Sequence, residues 1–332
     1  MNILVTGGAG YVGSILIPDL IKEGHHVKCL DKFFFGKESL SEISSSELEL
    51  IEDDIRLFNP NLLNDVDVVI DLASLSNDPS AELNQNLTMN INHKGRSRVA
   101  KLSKKMGVKK YILASTASIY GFQKEIVNEE SNVNPLTTYS KASYLAEQDI
   151  IPLNDDDFCS VALRFGTIYG LSKRMRFDLV VNTMTYNLFS KGKIVINGDG
   201  KQSRPLIHVN DVSKAYRQVI NSDKKIIGGQ IFNVGSESQN FQMSNLASEI
   251  ISAIPGKYEI IHEGTNDHRS YQVSFEKIKN KINFSPEYTI RDGAQQVFDA
   301  LESGSIKHSN KTITLEWYKH LLENGNLEII QN

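Results

Sequence analysis

The sequence MNILVTGGAGYVG, residues 1–13, places three glycines, Gly7, Gly10 and Gly13, directly after a short apolar run. The apolar run at residues 2–5 predicts a buried strand, and the helical spacing of the apolar residues after the glycines predicts a helix. A glycine turn between a strand and a helix lets the backbone approach a pyrophosphate, whose charge the helix N-terminus stabilises. This stretch therefore predicts the first unit of a dinucleotide-binding α/β domain.

An acidic residue, Asp31, ends the next predicted strand at residues 27–30 and lies 18 positions after Gly13. In a dinucleotide-binding unit, a carboxylate at this place suits the two hydroxyl groups of an adenosine ribose and repels a 2′-phosphate. The sequence therefore predicts NAD as the cofactor in preference to NADP. The neighbouring Lys32 is the one feature of this stretch that favours NADP.

Short apolar runs alternate with helical patterns along the first half of the chain, which is typical of a parallel sheet covered on both faces. The predicted strands are residues 2–5, 27–30, 49–52, 67–72, 110–114, 160–165 and 231–235. Two longer helices are predicted at residues 86–106 and 135–150. The predicted fold class is therefore α/β, a doubly wound parallel (Rossmann) sheet with a smaller, interwoven C-terminal domain for the substrate.

The regular alternation of strands and helices loosens after about Thr167, although a strand pattern returns at residues 231–235. We therefore expect the dinucleotide-binding domain to comprise residues 1–166 plus about 206–235. The second domain is expected at about residues 167–205 plus 236–332. This division requires the chain to cross between the two domains more than once.

The chain has 332 residues and a formal net charge of −4, from 36 basic and 40 acidic residues, so it carries no overall positive field that would attract nucleic acid or an anionic membrane. No apolar run reaches the roughly 18 residues of a membrane span, and the N-terminus lacks the basic region of a signal peptide. Cys29 and Cys159 lie in apolar runs and are expected to be buried thiols. We expect a cytoplasmic protein that binds no nucleic acid, no membrane and no metal.

Seven patterns, of which the glycine stretch is the first, follow one another in a fixed order along the chain. They are TGGAGYVG (6–13), DDIR (53–56), DLAS (71–74), YILASTASIYG (111–121), YSK (139–141), RFGTIYG (164–170) and RPLIHVNDVSKA (204–215). As a set they resemble the extended short-chain dehydrogenase/reductase family, which comprises the nucleotide-sugar epimerases and dehydratases. The resemblance covers nearly the whole chain. It implies NAD as the cofactor and a nucleotide-sugar as the substrate, bound by the second domain.

The resemblance also implies a role for individual residues. Thr116 holds the substrate hydroxyl. Tyr139 removes the proton of that hydroxyl while hydride leaves the carbon that bears it. The implied cofactor contacts are Gly7, Gly10, Tyr11, Val12, Gly13, Asp31, Asp54, Ile55, Leu72, Ala73, Ser74, Tyr139, Ser143 and Phe165. The implied substrate contacts are Ser74, Thr116, Thr167, Arg176, Asn182, Arg204 and Arg269. Arginine suits this task because its guanidinium matches the oxygens of a diphosphate.

The sequence departs from the family in the helix that carries Tyr139. The family has a lysine four residues after this tyrosine, where it lowers the tyrosine pKa from about 10 and binds the nicotinamide ribose. Here that position is Ser143, and Lys141 points roughly 200° away from Tyr139 around the helix. Either another cation or the nicotinamide ring lowers the pKa of Tyr139, or the enzyme is slow or specialised, or the protein binds cofactor and sugar without turnover.

Ala117 and Ser118 follow Thr116 at the positions where the family's 4,6-dehydratases carry an acidic pair and its decarboxylases usually carry an acid. Neither side chain can act as an acid or base at neutral pH. The sequence therefore favours an epimerase or 4-dehydrogenase that oxidises a sugar hydroxyl, the one at C4. A 4,6-dehydratase and a catalytically impaired binding protein are the alternatives.

Two further expectations concern packing. His208 has no second His or Cys at ligand spacing and is expected to pack or to cap a helix locally. The resemblance implies a homodimer in which the two longer helices pair with those of a second copy. The apolar positions available for that contact are Val99, Leu102, Tyr144 and Leu145.

Overall fold

The computed structural model describes residues 1–44, 46–264 and 269–325, so residues 265–268 and 326–332 of the expected second domain lie outside the described ranges. The strands are β1 (Asn2–Thr6), β2 (His26–Asp31), β3 (Leu48–Glu52), β4 (Val68–Asp71), β5 (Lys110–Thr116), β6 (Phe122–Val127), β7 (Cys159–Phe165), β8 (Thr167–Tyr169), β9 (Lys193–Asn197), β10 (Ser203–His208), β11 (Ile231–Val234), β12 (Asn240–Gln242), β13 (Glu259–Glu263) and β14 (Ser270–Val273). The helices are α1 (Gly13–Lys22), α2 (Asp78–Glu82), α3 (Gln85–Met89), α4 (Arg96–Lys105), α5 (Thr138–Ile150), α6 (Val180–Lys191), α7 (Val209–Asn221), α8 (Lys224–Ile227), α9 (Met243–Ala253), α10 (Glu276–Ile282), α11 (Ile290–Glu302) and α12 (Thr314–Glu323).

Seven strands form one parallel sheet in the order β3-β2-β1-β4-β5-β7-β11. Each strand predicted from an apolar run lies in this sheet, so the predicted doubly wound fold is confirmed. The strand order runs outward in opposite directions from β1 and from β4, which are neighbours. A crevice opens at the carboxyl ends of the strands at such a switch point, and doubly wound folds bind their ligands there.

The two faces of the sheet carry different helices because alternate side chains of a strand point to opposite faces. Ile3 and Val5 of β1 are fully buried in the core that contains α1 and α7. Leu4, between them, is fully buried in the core that contains α4 and α5. Both faces are therefore apolar and covered, which is why the strands have nearly continuous hydrophobic sequences.

The remaining strands form three smaller sheets, composed of β8, β10 and β12, of β9 and β13, and of β6 and β14. Helices α6, α9 and α11 pack beside them around a separate apolar core. The chain returns from this smaller part to add β11 to the large sheet, so the two parts are interwoven. No helix in the described ranges is both long and apolar enough to cross a membrane.

The helix predicted at residues 86–106 is divided in the structure. It comprises α3, a widened π-type turn at Asn90–Gly95, and α4. Within the turn, the side chain of Asn92 accepts a hydrogen bond from the backbone N–H of Leu75 at 2.8 Å and donates one to the Leu75 carbonyl at 3.0 Å. The turn therefore anchors the loop that follows β4, and α4 begins directly after it at Arg96.

His208 is fully buried and caps α7, as expected, because its Nδ1 accepts a hydrogen bond from the backbone N–H of Asn210 at 3.2 Å. The ring also stacks on Tyr288, with 4.4 Å between ring centroids. Burial lowers the pKa of His208 from 6.5 to about 4. The folded protein therefore contains the neutral imidazole of His208 at neutral pH.

We predict that His208 makes the protein less stable in acid. Between pH 6.5 and 4 the unfolded chain binds a proton at this histidine that the folded chain excludes. The contribution of neutral His208 to the free energy of unfolding is therefore fully present above pH 6.5 and is lost as the pH falls toward 4. The loss corresponds to about 3 kcal/mol. His208→Asn, which keeps a cap acceptor, should show a shallower fall of unfolding free energy in urea titrations across this range. The exposed His320→Asn serves as a control, and parallel curves for wild type and His208→Asn would contradict the prediction.

Candidate active site

A cavity of about 750 Å³ lies at the carboxyl ends of the parallel strands, between the large sheet and the smaller part. The residues singled out from the sequence that line it are Gly7, Gly10, Tyr11, Val12, Gly13, Asp31, Asp54, Ile55, Leu72, Ala73, Ser74, Thr116, Tyr139, Phe165, Thr167, Arg176, Arg204 and Arg269. These residues are spread over more than 260 positions of the chain, and the fold brings them to one cavity.

Two glycines of the turn at the start of α1 have no room for a side chain, because other backbone atoms lie too close to them. Gly7 has a φ of +65°, and a Cβ there would lie 2.7 Å from the Cα of Ala73. A Cβ on Gly13 would lie 2.2 Å from the carbonyl oxygen of Gly8. The first turn of α1 has neither a side-chain cap nor an acidic residue, so no side chain of this turn competes with an anion for the positive end of the helix. This geometry fits a pyrophosphate.

Asp31 ends β2 beside this turn. Its carboxylate accepts hydrogen bonds from the backbone N–H of Ala9 at 3.0 Å and of Phe33 at 2.7 Å. Burial raises the pKa of Asp31, although these hydrogen bonds and the positive charge of Arg174 act in the opposite direction. The arrangement fixes the carboxylate in the cavity wall, where a ribose can reach it.

Arg174 is a cavity residue that the sequence reading did not select. Its guanidinium lies 3.5 Å from the centroid of the Phe35 ring, and burial lowers its pKa to about 10. The only signal in the sequence is the basic cluster at residues 173–176, from which Arg176 alone was selected.

A second group in the wall also fits a ligand. The Ser74 hydroxyl is buried and has no hydrogen-bond partner among the residues that the structure describes. Ser74 follows β4, next to Leu72 and Ala73, at the switch point of the sheet. An unpaired buried hydroxyl is costly, and a ligand hydroxyl would satisfy it. The glycine turn, Asp31 and Ser74 together therefore fit a bound dinucleotide.

Thr116 and Tyr139 lie in the wall where β5 ends and α5 begins. Thr137 caps α5 in a reciprocal pair of hydrogen bonds with Ser140, so Tyr139 is held in the first turn of the helix. Burial and the negative charge of Asp78 raise the pKa of Tyr139. Arg96, Arg176 and the Thr116 hydroxyl act to lower it. With its pKa raised, the phenol carries its proton at neutral pH in the protein alone.

A buried ion pair holds α5 against the sheet. Arg164 of β7 donates to the Glu147 carboxylate of α5, with Nη2 2.6 Å from Oε2, and neither side chain is more than 3% exposed. The Ser115 hydroxyl of β5 also donates to Glu147. This network fixes the helix that carries Tyr139 relative to the strand that carries Thr116.

Ser143 lies outside the cavity wall, so the predicted cofactor contact needs correction. The side chain is buried, and its hydroxyl donates to the backbone carbonyl of Tyr139 at 2.9 Å within the same helix. A short hydroxyl so engaged does not reach the cavity. Lys141 is exposed, in agreement with the prediction that its side chain points away from Tyr139. Neither residue brings a positive charge to Tyr139 from α5.

Asn182 also lies outside the wall, where a substrate contact was predicted. Its amide is fully buried and bonds to the N–H of Gly170, the carbonyl of Arg176 and the hydroxyl of Tyr11, at 2.9, 2.9 and 3.1 Å respectively. The hydroxyl of Tyr11 in turn donates to the carbonyl of Gly170. Asn182 therefore stabilises the loop after β8 against the glycine turn.

The three arginines predicted to contact the substrate, Arg176, Arg204 and Arg269, all line the cavity and are anchored by other residues. Arg176 pairs with Asp178 at 2.8 Å. Arg204 donates to the carbonyl of Arg269, and Arg269 pairs with Asp78. These guanidinium groups give one region of the wall a positive character.

Asp78 is a further residue that the sequence reading missed. It begins α2, and its carboxylate accepts hydrogen bonds from Thr137 and from Arg269. One carboxylate thus links the cap of the Tyr139 helix to the smaller part of the protein. The sequence offers only the helix-start pattern of residues 77–79 as a signal, which predicts a cap and gives no indication of the cavity. In the described ranges, no cluster of three His, Cys, Asp or Glu side chains forms a metal site.

The chain was compared with known proteins. A family model described as "NAD dependent epimerase/dehydratase family" matches residues 3–235. UDP-glucuronic acid decarboxylase 1 from Arabidopsis thaliana is 29% identical over 306 residues, which cover 88% of this chain and 68% of that protein. A putative UDP-glucose 4-epimerase from Methanocaldococcus jannaschii is 26% identical over 318 residues, which cover 93% of this chain and 100% of that protein.

Among solved structures, the UDP-glucuronic acid 4-epimerase from Bacillus cereus, in complex with UDP-glucuronic acid and NAD, has the same fold. The TM-score is 0.79 and the sequence identity 23%, over 91% of this chain and 99% of that one.

We predict that Gly10→Ala selectively weakens dinucleotide binding. A Cβ on Gly10 would contact only the carbonyl oxygen of Gly7, at 3.1 Å, so the fold should tolerate it with little change in melting temperature. The added methyl group occupies the space through which an anion approaches the turn. Calorimetric titration should show at least about a tenfold loss of NAD affinity. Gly7→Ala should instead impair folding, and unchanged NAD affinity in Gly10→Ala would refute the assignment of the turn.

Proposed function

The chain belongs to the NAD dependent epimerase/dehydratase family, and we propose that it is an epimerase or 4-dehydrogenase that oxidises a nucleotide-sugar hydroxyl, the one at C4, by hydride transfer to NAD. The observation that carries this proposal is a single cavity. One wall contains the glycine turn and Asp31, another contains Thr116 and Tyr139, and the arginines line the same space.

The residues that would hold NAD are those already in the wall. The first turn of α1 would bind the pyrophosphate, Asp31 the adenosine ribose, and Ser74 a ligand hydroxyl near the end of β4. Asp54 and Ile55 line the same region, with Asp54 fixed by Arg56 at 2.7 Å. NAD supplies the hydride acceptor when bound. The protein contributes position, since it holds both partners at the carboxyl edge of one sheet.

Tyr139 and Thr116 would carry the proton chemistry. The Thr116 hydroxyl accepts a hydrogen bond from the N–H of Ser118 at 3.1 Å, so its own proton can be donated to a substrate oxygen. The phenol of Tyr139 must lose its proton to act as a base, and its raised pKa opposes this. Positive charge near the phenol is therefore needed for turnover near neutral pH.

The arginines support a nucleotide-sugar as the substrate. Arg176, Arg204 and Arg269 come from the smaller part, which we assign to substrate binding with residues 167–205 plus 236–332. Residues 1–166 plus about 206–235, which supply the large sheet, are assigned to the cofactor. The B. cereus epimerase, whose structure contains UDP-glucuronic acid, is in keeping with this class of substrate.

The lack of an acidic pair after Thr116 favours epimerisation or oxidation over dehydration. Ser118 lines the cavity, and Ala117 is fully buried beside it. The relatives include UDP-glucuronic acid decarboxylases, so the resemblance alone does not distinguish these reactions. A second candidate, a protein that binds cofactor and sugar without turnover, is favoured by one observation: α5 carries no lysine beside Tyr139.

A panel of UDP-, GDP-, CDP- and dTDP-sugars tests the proposal. Thermal shift identifies the sugars that bind, and NMR of the products distinguishes a C4 epimer, a 4-keto sugar and a 4-keto-6-deoxy sugar. Conversion of a nucleotide-sugar to the epimer or the 4-keto sugar supports the proposal. Binding of a sugar without its conversion, whether or not NAD is added, would favour the non-catalytic candidate.

We predict that Tyr139→Phe retains NAD and sugar binding and loses turnover by about 10² to 10⁴, because only the proton acceptor is removed. Tyr144→Phe, on the same helix but outside the cavity, is the matched control and should retain wild-type activity. Steady-state kinetics with the active sugar provide the measurement. Equal rates in the Tyr139 variant and the control would exclude Tyr139 as the base.

We also propose a homodimer formed through α4 and α5, which contact each other on one face of the sheet. Leu145 of α5 is 38% exposed and is available for such a contact. Val99 is fully buried in the core that contains α4 and α5, so it is not available for this contact. Leu102 packs against the same core and Tyr144 against the core on the other face of the sheet, and both side chains are only partly buried. Light scattering should give twice the mass of one chain, and Leu145→Glu should shift it toward the single-chain mass. A wild type that is monomeric at micromolar concentration contradicts the proposal.

A further inference from the structure

Arg96 is a buried cation in the cavity wall that no sequence motif marked. It begins α4, directly after the π-type turn, and is 2% exposed. Its Nη2 donates to the carbonyl of Asp71, the last residue of β4, at 3.0 Å, and to the carbonyl of Ala114 near the end of β5. The guanidinium is therefore fixed at the carboxyl edge of the two central strands, where the cavity lies.

The guanidinium is only partly satisfied by the protein. Both of its hydrogen bonds to described residues use Nη2, and its buried Nε has no hydrogen-bond partner among them. The Asp71 carboxylate lies 3.5 Å from Nε and also accepts hydrogen bonds from Thr6 and Tyr111. This carboxylate therefore forms a buried ion pair with Arg96, and it divides its charge between Arg96 and these two hydroxyl groups.

We propose that Arg96 supplies, from α4, the positive charge beside Tyr139 that α5 lacks at Ser143. This inference rests on the proposed function, because it concerns the base of that reaction. Arg96 is a positioning residue: it acts on the phenol of Tyr139 and leaves the proton transfer to that phenol. A guanidinium is suited to the task because it stays protonated throughout the working pH range.

The other groups that face Tyr139 do not replace Arg96. Asp78 acts in the opposite direction and raises the pKa of Tyr139. Arg176 lowers this pKa less than Arg96 does, and its ion pair with Asp178, at 2.8 Å, is closer than that of Arg96 with Asp71, at 3.5 Å. Tyr216 of α7, a neutral phenol at neutral pH, also lines this part of the cavity.

The test is the pH dependence of turnover. Loss of the charge in Arg96→Gln should move the midpoint of the rising, Tyr139-dependent limb toward alkaline pH by about one unit or more, with a corresponding loss of rate near neutrality. Arg96→Lys should keep the wild-type midpoint even if it lowers the melting temperature, because it retains the charge but loses the two-carbonyl geometry. Adding Ser143→Lys to Arg96→Gln should restore the midpoint.

Arg98→Gln is the matched control. Arg98 lies on the same helix and also donates to two backbone carbonyls, those of Ile55 at 3.2 Å and Phe58 at 3.0 Å, but it lies outside the cavity wall. Its removal should leave the midpoint unchanged. A purely structural role for Arg96 predicts that both variants lose activity without a shift of midpoint, and this result would overturn the proposal.

Failure of the proposed function is distinguishable. If wild type converts no sugar, the phenolate absorbance of the NAD-loaded protein, taken as the difference between wild type and Tyr139→Phe, reports the same ionisation directly. A midpoint that rises in Arg96→Gln and not in Arg98→Gln supports the role of Arg96 even then. Identical midpoints in all three proteins would refute it.

Discussion

The approach of the glycine turn to the end of β4 is the constraint on which the rest of the site depends. Gly7 adopts a φ of +65° where a Cβ would collide with the backbone of Ala73, so β1 and β4 meet as neighbours without side chains between them. This contact lies at the switch point of the sheet, where β1 and β4 are neighbours. It places the N-terminus of α1, Asp31 and Ser74 around one opening, and the strand ends beyond β4 bring Thr116 and Tyr139 to the same edge.

Charge balance at Tyr139 is the second determinant. Burial makes the phenol reluctant to ionise, and Asp78 adds to this effect while it ties the Tyr139 helix to Arg269. In this protein the compensating cations come from other elements, Arg96 from α4 and Arg176 from the loop before α6. The pKa of this phenol is therefore set by tertiary contacts between distant segments of the chain.

Hydrophobic pattern and glycine spacing were enough to predict the seven-stranded sheet, because a strand buried on both faces must be apolar along its length. Side-chain direction was harder to predict. Ser143 and Asn182 occupy plausible positions in sequence, but their polar groups bond to neighbouring backbone and to Tyr11. Arg96, Arg174 and Asp78 belong to no local motif, since their proximity to the site arises only when distant segments pack together. The turn that divides the helix at residues 86–106 likewise makes tertiary contacts, because Asn92 accepts a hydrogen bond from Leu75 in the loop after β4 and donates one back to it.

The central claim is that this cavity removes hydride from a sugar carbon and passes it to NAD. The most direct test uses the nucleotide-sugar that binds best, deuterated at C4, mixed with the NAD-loaded protein and quenched at successive times within the first turnover, before an epimerase would return the hydride to the sugar. Mass spectrometry of the released cofactor should then show reduced NAD that carries one deuterium, and the label should be absent with Tyr139→Phe. Reduced cofactor without deuterium, or a sugar that is modified while the cofactor stays unlabelled at every time point, would contradict the account.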